Sequence, residues 1–501
     1  MNNHSPLVFP EIYDAFVNAD FSADSVANSL AIKGEEHLPS WYKVTDLAAE
    51  SIAAAGLMLQ QRAGFQNQST QVDRRLASLW FGMSIRPIGW KLPAPWDSIA
   101  GNYQARDGWV RLHTNAPLHK LAALAALSCE DDREVVAQVV KNGSANELAE
   151  AVIKAGGCAT AMRTPEQWLA HPQGQAIASE PLIHWDLHHQ DQAGLDFEKA
   201  DKQKNNENLG ASISLTINPQ RPLEGIKVLD LTRILAGPVA TRFLAAYGAD
   251  VLRIDPPNWD EPSTAPEVTL GKCCAGLDLR ESKDREVFER LLKQADLLVH
   301  GYRPEALAGL GYDSAALRKI NARLIDVSLC AYGWTGPWAS RRGFDSVVQM
   351  SCGIAAYGMR MAGAEQPISL PVQALDHATG YLIAAAAIHA LNCRDTKGEI
   401  YSARLSLVRT AGLLMTQTSD PVSTEFAEET EQDIDESIEA TEWGDARRIR
   451  FPLEIEGMPA KWDYPASSLH SAQPEFKTQL QPNLVQSCSD KPDQPELSPP
   501  K

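Results

Sequence analysis

Among the residues able to do chemistry, Asp376 has the most suggestive setting. It lies in Leu375-Asp376-His377-Ala378-Thr379-Gly380, at the head of an Ala-rich run that continues to Leu391. A carboxylate at the mouth of an apolar helix has two readings. It can cap the helix by accepting hydrogen bonds from the orphan N–H groups of the first turn. It can instead serve as nucleophile or base, kept ionised by the helix dipole and pushed toward neutrality by burial. Residue pattern alone favours the cap. His377 has the chemistry of a base, although a partly buried structural His is the commoner role.

Other candidates carry weaker signals. Leu231-Thr232-Arg233-Ile234-Leu235-Ala236-Gly237-Pro238 leaves a strand-like run and opens a helix, a favourable place for a phosphate. It lacks G-x-G-x-x-G, so a dinucleotide fold is not supported. Gly271-Lys272 and Arg341-Arg342 suit an anion equally well, or simple solvation. His184, His188 and His189 with Asp186 have helical i, i+4 spacing for a metal. No Glu follows the first His as a zincin requires, so no metal site is expected. No G-x-S-x-G element anchors a serine hydrolase.

Regular elements must hold these residues. Apolar spacing predicts a helix from Thr45-Asp46 to Arg62, a strand over 109–113, and helices over 118–127, 132–141 and 146–155. From Pro222 onward strands alternate with helices. Strands are expected at 226–231, 250–254, 296–300 and 324–329, and helices from Gly237 to Ala246, at 284–294 and at 314–320. Apolar strands alternating with helices imply a doubly wound parallel sheet covered on both faces. The fold class is therefore α/β, with a smaller α+β domain preceding the large one.

Composition sets the boundaries. The 501 residues exceed one ordinary domain. A net charge of −18 argues against nucleic acid or an anionic membrane as partner. Residues 194–220 turn polar and read as a linker between 1–193 and 221–416. Asp420 to Asp445 holds eleven acidic residues and no Lys or Arg, so 417–446 is expected to be disordered, with 447–501 partly docked. Eight cysteines without C-x-x-C spacing read as reduced thiols. The N-terminus lacks signal-peptide features, and no run of about 18 apolar residues occurs. A soluble cytoplasmic protein is expected.

The series Pro222-Leu-Glu-Gly-Ile-Lys-Val-Leu-Asp-Leu-Thr-Arg-Ile-Leu-Ala-Gly-Pro238 and Tyr247-Gly-Ala-Asp-Val-Leu-Arg-Ile-Asp255 resembles the family III CoA-transferases (the CaiB/BaiF family). The likeness continues through Gly271-Lys272, Asp296–Pro304, Gly309–Tyr312, Asn321–Ile325 and Tyr332–Pro337 to Asp376. The resemblance implies that Asp376 is the nucleophile. It would attack an acyl-CoA, pass through an aspartyl anhydride and aspartyl-CoA, and hand CoA to a free carboxylic acid. It also implies that Ile234, Leu235, Lys272, Tyr302 and Arg342 hold CoA, which is a substrate and not a permanently bound cofactor. Pro256 stands where some members carry an Arg in the adenine region.

Related acyl-CoA racemases use a His–Asp pair, with the His in Gly-His-Asp. This chain reads Gly343-Phe344-Asp345, and Phe cannot move a proton. A catalytically silent CoA-binding protein is the remaining alternative, because no tetraglycine-type loop is visible.

The N-terminal half echoes the same family out of order. Asp46 opens an Ala-rich helix as Asp376 does, and 107–115, 163–168 and 171–174 resemble the small domain that follows the catalytic helix. The chain thus reads as the later part of one copy, 1–193, joined to the early part of another, with Asp46 vestigial. Since family members form interlocked dimers, a homodimer or an equivalent arrangement within one chain is implied.

Overall fold

Period-two alternation divides the apolar residues of the central strands between two cores. Val228, Val251, Val299 and Val327 enter one, whereas Leu229, Leu252 and Leu298 enter the other. The computed structural model describes residues 7–16, 26, 30–65, 69–188, 217–303, 305–420 and 426–477. Residues 189–216, which include His189 and most of the expected linker, lie outside the described residues, as do Cys488 and the rest of 478–501.

The N-terminal part contains β1 (Leu30–Lys33), α1 (Val44–Arg62), β2 (Thr70–Asp73), α2 (Arg74–Phe81) and β3 (Ile85–Pro87). A small α+β unit follows. Its strands β4 (Gly101–Ala105), β5 (Gly108–Leu112) and β6 (Ala159–Ala161) pair antiparallel. Helices α3 (Pro117–Leu127), α4 (Arg133–Asn142) and α5 (Ala145–Lys154) bury Val136, Val140 and Val152 against them. Strand β7 (His184–His188) ends this half.

The second half supplies β8 (Lys227–Leu231), α6 (Ala236–Ala246), β9 (Asp250–Asp255), β10 (Lys272–Gly276), α7 (Ser282–Leu292), β11 (Leu297–His300), α8 (Ser314–Ile320) and β12 (Ile325–Cys330). After these come α9 (Asp345–Cys352), α10 (Ala374–Lys397), β13 (Ile400–Ser406) and α11 (Leu407–Met415). The central sheet has the order β10-β9-β8-β11-β12-β13-β7. Its first six strands are parallel, and only β7 runs antiparallel, along β13. The six parallel strands have the doubly wound order 3-2-1-4-5-6, whose switch point between β8 and β11 is where ligands bind in such sheets. The order therefore arises here without the glycine fingerprint.

Strand β7 also corrects two expectations. The large sheet is not built from 221–416 alone, because residues 184–188 close its edge. His184 and His188 sit on this strand rather than on a helix. His188 Nε2 pairs with Ser402 Oγ at 2.8 Å, and His184 Nε2 lies 3.4 Å from Glu180. Among the described residues no cluster of three His, Cys, Asp or Glu suits a metal.

The acidic stretch is a further correction. In its described part it forms a turn at Glu431–Asp433, then β14 (Glu439–Thr441) and β15 (Gly444–Arg448), which pairs with β3. The acids are neutralised by remote arginines. Arg75 binds Asp433 at 2.8 Å, and Arg86 Nε donates to Glu429 at 2.7 Å. Strand β16 (Leu453–Ile455) then adds antiparallel to β2.

These pairings reveal a repeated unit. In β1-β2-β16 the first pair is parallel and the second antiparallel, and β12-β13-β7 repeats that arrangement. Helix α1 precedes β2 as α10 precedes β13. The two helices pack together in the core, and Arg62 Nη1 donates to Asn392 Oδ1 at 3.4 Å. Those residues are 330 positions apart, the separation of Asp46 from Asp376. Each half thus sends its last strand to the other half's sheet, and the interlocking occurs within one chain. Among the described residues no helix is long and apolar enough to cross a membrane. The seven described cysteines are all free.

Candidate active site

Asp376 is the third residue of α10 and not its cap. Gln373, at the cap position, makes no side-chain cap bond. The capping group is remote in sequence: Asp345 Oδ2 accepts hydrogen bonds from Leu375 N at 2.8 Å and Asp376 N at 3.0 Å. The Asp376 carboxyl is thereby free of the capping task and faces a cleft of about 410 Å³. Burial, and then the neighbouring Asp345, push its pKa well above the ordinary carboxylate value. Asp345 itself is pushed up to about 6, chiefly by burial.

Close packing brings the β8–α6 turn to this helix. A Cβ on Gly380 would come within 2.5 Å of Ala236 O and 2.8 Å of Val239 Cβ, so only glycine permits the approach. Gly237 similarly allows the turn to fold on itself, since a Cβ there would meet Thr232 at 2.3 Å. Between them, Ile234 adopts a left-handed φ of 66°, unfavourable for a β-branched residue. Its N–H donates to buried Glu261 Oε2 at 2.8 Å, which helps hold the strained turn.

The cleft opens at the carboxyl ends of β8, β11 and β12, and its lining includes Ile234, Leu235, Tyr302, Arg342 and Asp376. Tyr302 is half-buried, and burial raises its phenol pKa. Arg342 is exposed, with Nη1 donating to Gly156 O at 3.3 Å.

Lys272 is a correction. Its ammonium is buried and donates to Asp230 Oδ2 at 3.0 Å, Pro238 O at 2.9 Å and Thr241 Oγ1 at 2.6 Å, which uses all three donors. It braces the start of α6 from behind, away from the cleft. Asp46 also lies elsewhere: it is ion-paired with Arg74, and His37 Nδ1 stands 3.7 Å away. His377 is buried, stacks on Phe81 and has its pKa lowered to about 3, first by burial and then by Arg242. It is a neutral core residue.

Sequence reasoning missed several lining groups. Arg233 and Arg303 add positive charge, and Trp259 offers a flat face with the Arg233 guanidinium 4.8 Å from its ring centre. Arg233 stood next to Ile234 in the quoted motif, but nothing in the pattern around Trp259 signalled a role. His119 reaches the cleft from α3 of the other half, and burial lowers its pKa to about 4. Phe344 lines the cleft and stacks on His113 at 3.8 Å between ring centres. The first half of the chain therefore contributes one lining residue, His119. Chemically, the cleft joins a buried carboxyl to several arginines and an aromatic face, as suits a polyanionic nucleotide carrying a reactive acyl group.

Residues 223–440 match the family described as CoA-transferase family III. The chain is 37% identical over 196 residues to the acetyl-coenzyme A transferase nodX of Hypoxylon pulicicidum, covering 38% of this chain and 33% of that one. It is 28% identical over 328 residues to an acyl-CoA transferase of Gibberella moniliformis, covering 61% and 54%. A crystal structure of Rv3272 from M. tuberculosis shares 29% identity over 40% of this chain and 59% of that chain, with a TM-score of 0.35. The chain spans 33% to 54% of the length of these curated relatives and of two others like them. That family match covers a little less than half of the chain.

Proposed function

We propose that this protein moves CoA from an acyl-CoA to a free carboxylic acid, with Asp376 as the nucleophile. One observation carries the reading most: the Asp376 carboxyl is relieved of helix capping by Asp345 and opens into a basic cleft at the sheet's switch point. Ile234, Leu235, Tyr302 and Arg342 would hold CoA, with Arg233 and Arg303 near its phosphates.

The steps balance without another reactant. The Asp376 carboxylate attacks the thioester carbonyl, the C–S bond breaks, and a mixed anhydride and CoA thiolate result. The thiolate attacks the aspartyl carbonyl, which releases the donor acid and leaves aspartyl-CoA. The acceptor carboxylate then repeats the attack, and the thiolate finally takes the acceptor acyl group and restores Asp376. Covalent exchange conserves the thioester's reactivity, and a dry site protects the anhydride from water. The raised pKa of Asp376 makes its carboxylate the stronger nucleophile toward the thioester; its charged form is drawn out by the helix N-terminus and by arginines near the bound ester.

A second reading has one observation in its favour. His119 lines the same cleft as Asp376, so both residue types needed for α-proton transfer are present there although Phe344 occupies the expected place. Incubation of acyl-CoAs and acids in deuterated water distinguishes the two. New acyl-CoA formed only with an acceptor acid supports transfer, whereas α-deuteration without one supports racemization. Neither reaction under saturating substrate would support a CoA-binding protein without catalysis.

A further inference from the structure

A second cavity, of about 620 Å³, lies between the small α+β unit and the stretch from α9 to the head of α10, and the proposed reaction does not use it. It meets solvent beside Trp96, which is 38% exposed, and beside the exposed Ser369. Two guanidiniums line it, Arg111 from β5 and Arg133 from the start of α4. Arg111 stands 4.7 Å from the Trp96 ring centre, and Arg133 stands 5.3 Å from that of Tyr103. Their hydrogen bonds reach neutral oxygens: Arg111 Nη1 donates to Asn102 Oδ1 at 3.2 Å, and Arg133 Nη1 donates to Ala100 O at 2.9 Å. Arg111 is 9% exposed, and among the described residues its buried Nε and the buried Ser346 Oγ on the same wall have no hydrogen-bond partner.

The charges on this wall do not balance. Asp97, the one acid among the lining residues, is engaged by Lys120 at 2.9 Å and by Thr114 Oγ1 at 2.8 Å. Asp345 acts on Arg111 from beyond ion-pair distance, and its oxygens already accept from Gln349, Leu375 N and Asp376 N. Among the described residues neither arginine has a carboxylate at ion-pair distance. Burial lowers the Arg111 pKa to about 10, and Arg133 adds to the effect against the pull of Asp345, so Arg111 stays charged at neutral pH. Two neighbouring cations without a counter-charge are costly unless an anion joins them. A phosphate monoester carries about −1.5 to −2 at pH 7 and so matches the pair better than a singly charged carboxylate. Its several oxygens also suit donors that converge from β5, α4 and α9, whereas a planar carboxylate is best met by one guanidinium in its own plane. The cavity leaves room beside the phosphate for a small polar body.

We propose that this cavity is a second ligand site, separate from the cleft, that takes a small polar phosphate monoester. The site stands on Arg111, Arg133 and Ser346 and does not depend on the transferase reading.

The test is calorimetric titration of the full chain with glycerol 3-phosphate, in parallel with glycerate, whose anion is a carboxylate, and with inorganic phosphate. Glycerol 3-phosphate is expected to bind about tenfold more tightly than either, and equally well when saturating CoA is present. Arg111→Gln should weaken it about tenfold and Ser346→Ala about threefold. No binding, equal affinity for glycerate or for inorganic phosphate, or displacement by CoA overturns the proposal, as does an unchanged affinity in a folded Arg111→Gln protein. If that variant does not fold, Arg133→Gln at an exposed position takes its place, with a loss of about fivefold expected and an unchanged affinity counting against. The two readings fail separately. A protein without CoA transfer would still bind the ester through Arg111, and a protein that ignores the ester would still transfer CoA.

Discussion

Replacing Asp376 with Asn should stabilise the protein while abolishing the proposed CoA transfer. The carboxyl is buried, its pKa is raised by burial and by Asp345, and Asp345 is itself pushed up to about 6 from an ordinary 3.8. A carboxyl whose folded pKa exceeds its unfolded one favours folding fully below the unfolded value, and that contribution is lost as pH rises through the folded value. The two shifts therefore act against stability at alkaline pH. Asp345 alone is displaced by about two units, equivalent to ~3 kcal/mol. The Asp376→Asn substitution leaves the burial of Asp345 in place but removes the like charge and the desolvation of the Asp376 carboxylate. A gain in stability is therefore expected, about 1.4 kcal/mol for each pH unit by which the folded pKa exceeds the unfolded one. With an unfolding entropy of about 2.1 cal/mol/K per residue, 501 residues give roughly 1 kcal/mol/K, hence a rise in Tm of about 1 °C for each such unit. The assay is differential scanning calorimetry of both proteins from pH 4.5 to 9. The gap should be widest at the alkaline end and close toward pH 4.5, where both carboxyls are neutral. A less stable variant at pH 8.5, or a gap independent of pH, would refute the reasoning and restore Asp376 as a helix cap.

Three further outcomes follow from the geometry. Asp345→Asn keeps an oxygen for the amides of Leu375 and Asp376 but removes the like charge, so the acid limb of the transfer rate should move to lower pH; an unmoved limb would show that the two carboxyls do not interact. Gly380→Ala forces α6 away from α10, with overpacking of about 1–3 kcal/mol. A lower Tm and a raised KM for acyl-CoA are expected, and an unchanged KM would detach the β8–α6 turn from substrate binding. Glu267→Gln leaves the buried Arg242 guanidinium without its anion and Arg448 with Glu439 alone, at a cost of about 3–5 kcal/mol at pH 7. Burial opposes the Glu267 charge, but the two arginines outweigh it and lower its pKa to about 2. Its stabilisation is thus present above the ordinary Glu range and lost as pH falls toward 2, so the deficit of the variant should shrink on acidification, as circular dichroism melts would register.

The parallel strands were legible because burial on both faces leaves continuous apolar runs such as Val228-Leu229 and Leu297-Leu298-Val299. The helices of the small unit were legible from their 3.6-residue spacing. What escaped was pairing at a distance. Nothing local in His184–His188 tells that it closes the large sheet, so its two imidazoles looked like a helical pair. The acids of 417–446 looked unpaired because Arg75 and Arg86 lie more than 300 residues away. Lys272 was assigned to the cleft by motif position, whereas buried Asp230 holds it beneath α6. The same limit hid the role of Asp345. Helix pattern offered Asp376 as the cap, and only the fold brings another aspartate, 31 residues earlier, to do that task. His119 and Arg111 escaped for a further reason: they come from the opposite half of the interlocked chain.

The central claim is that Asp376 becomes covalently linked to the substrate. Incubation with acyl-CoA, followed by hydroxylamine and peptide mass spectrometry, should convert the Asp376 side chain to a hydroxamate, and only in protein exposed to acyl-CoA. Transfer that proceeds at full rate with Asp376 unlabelled, or label that persists in the Asp376→Asn protein, would contradict the account.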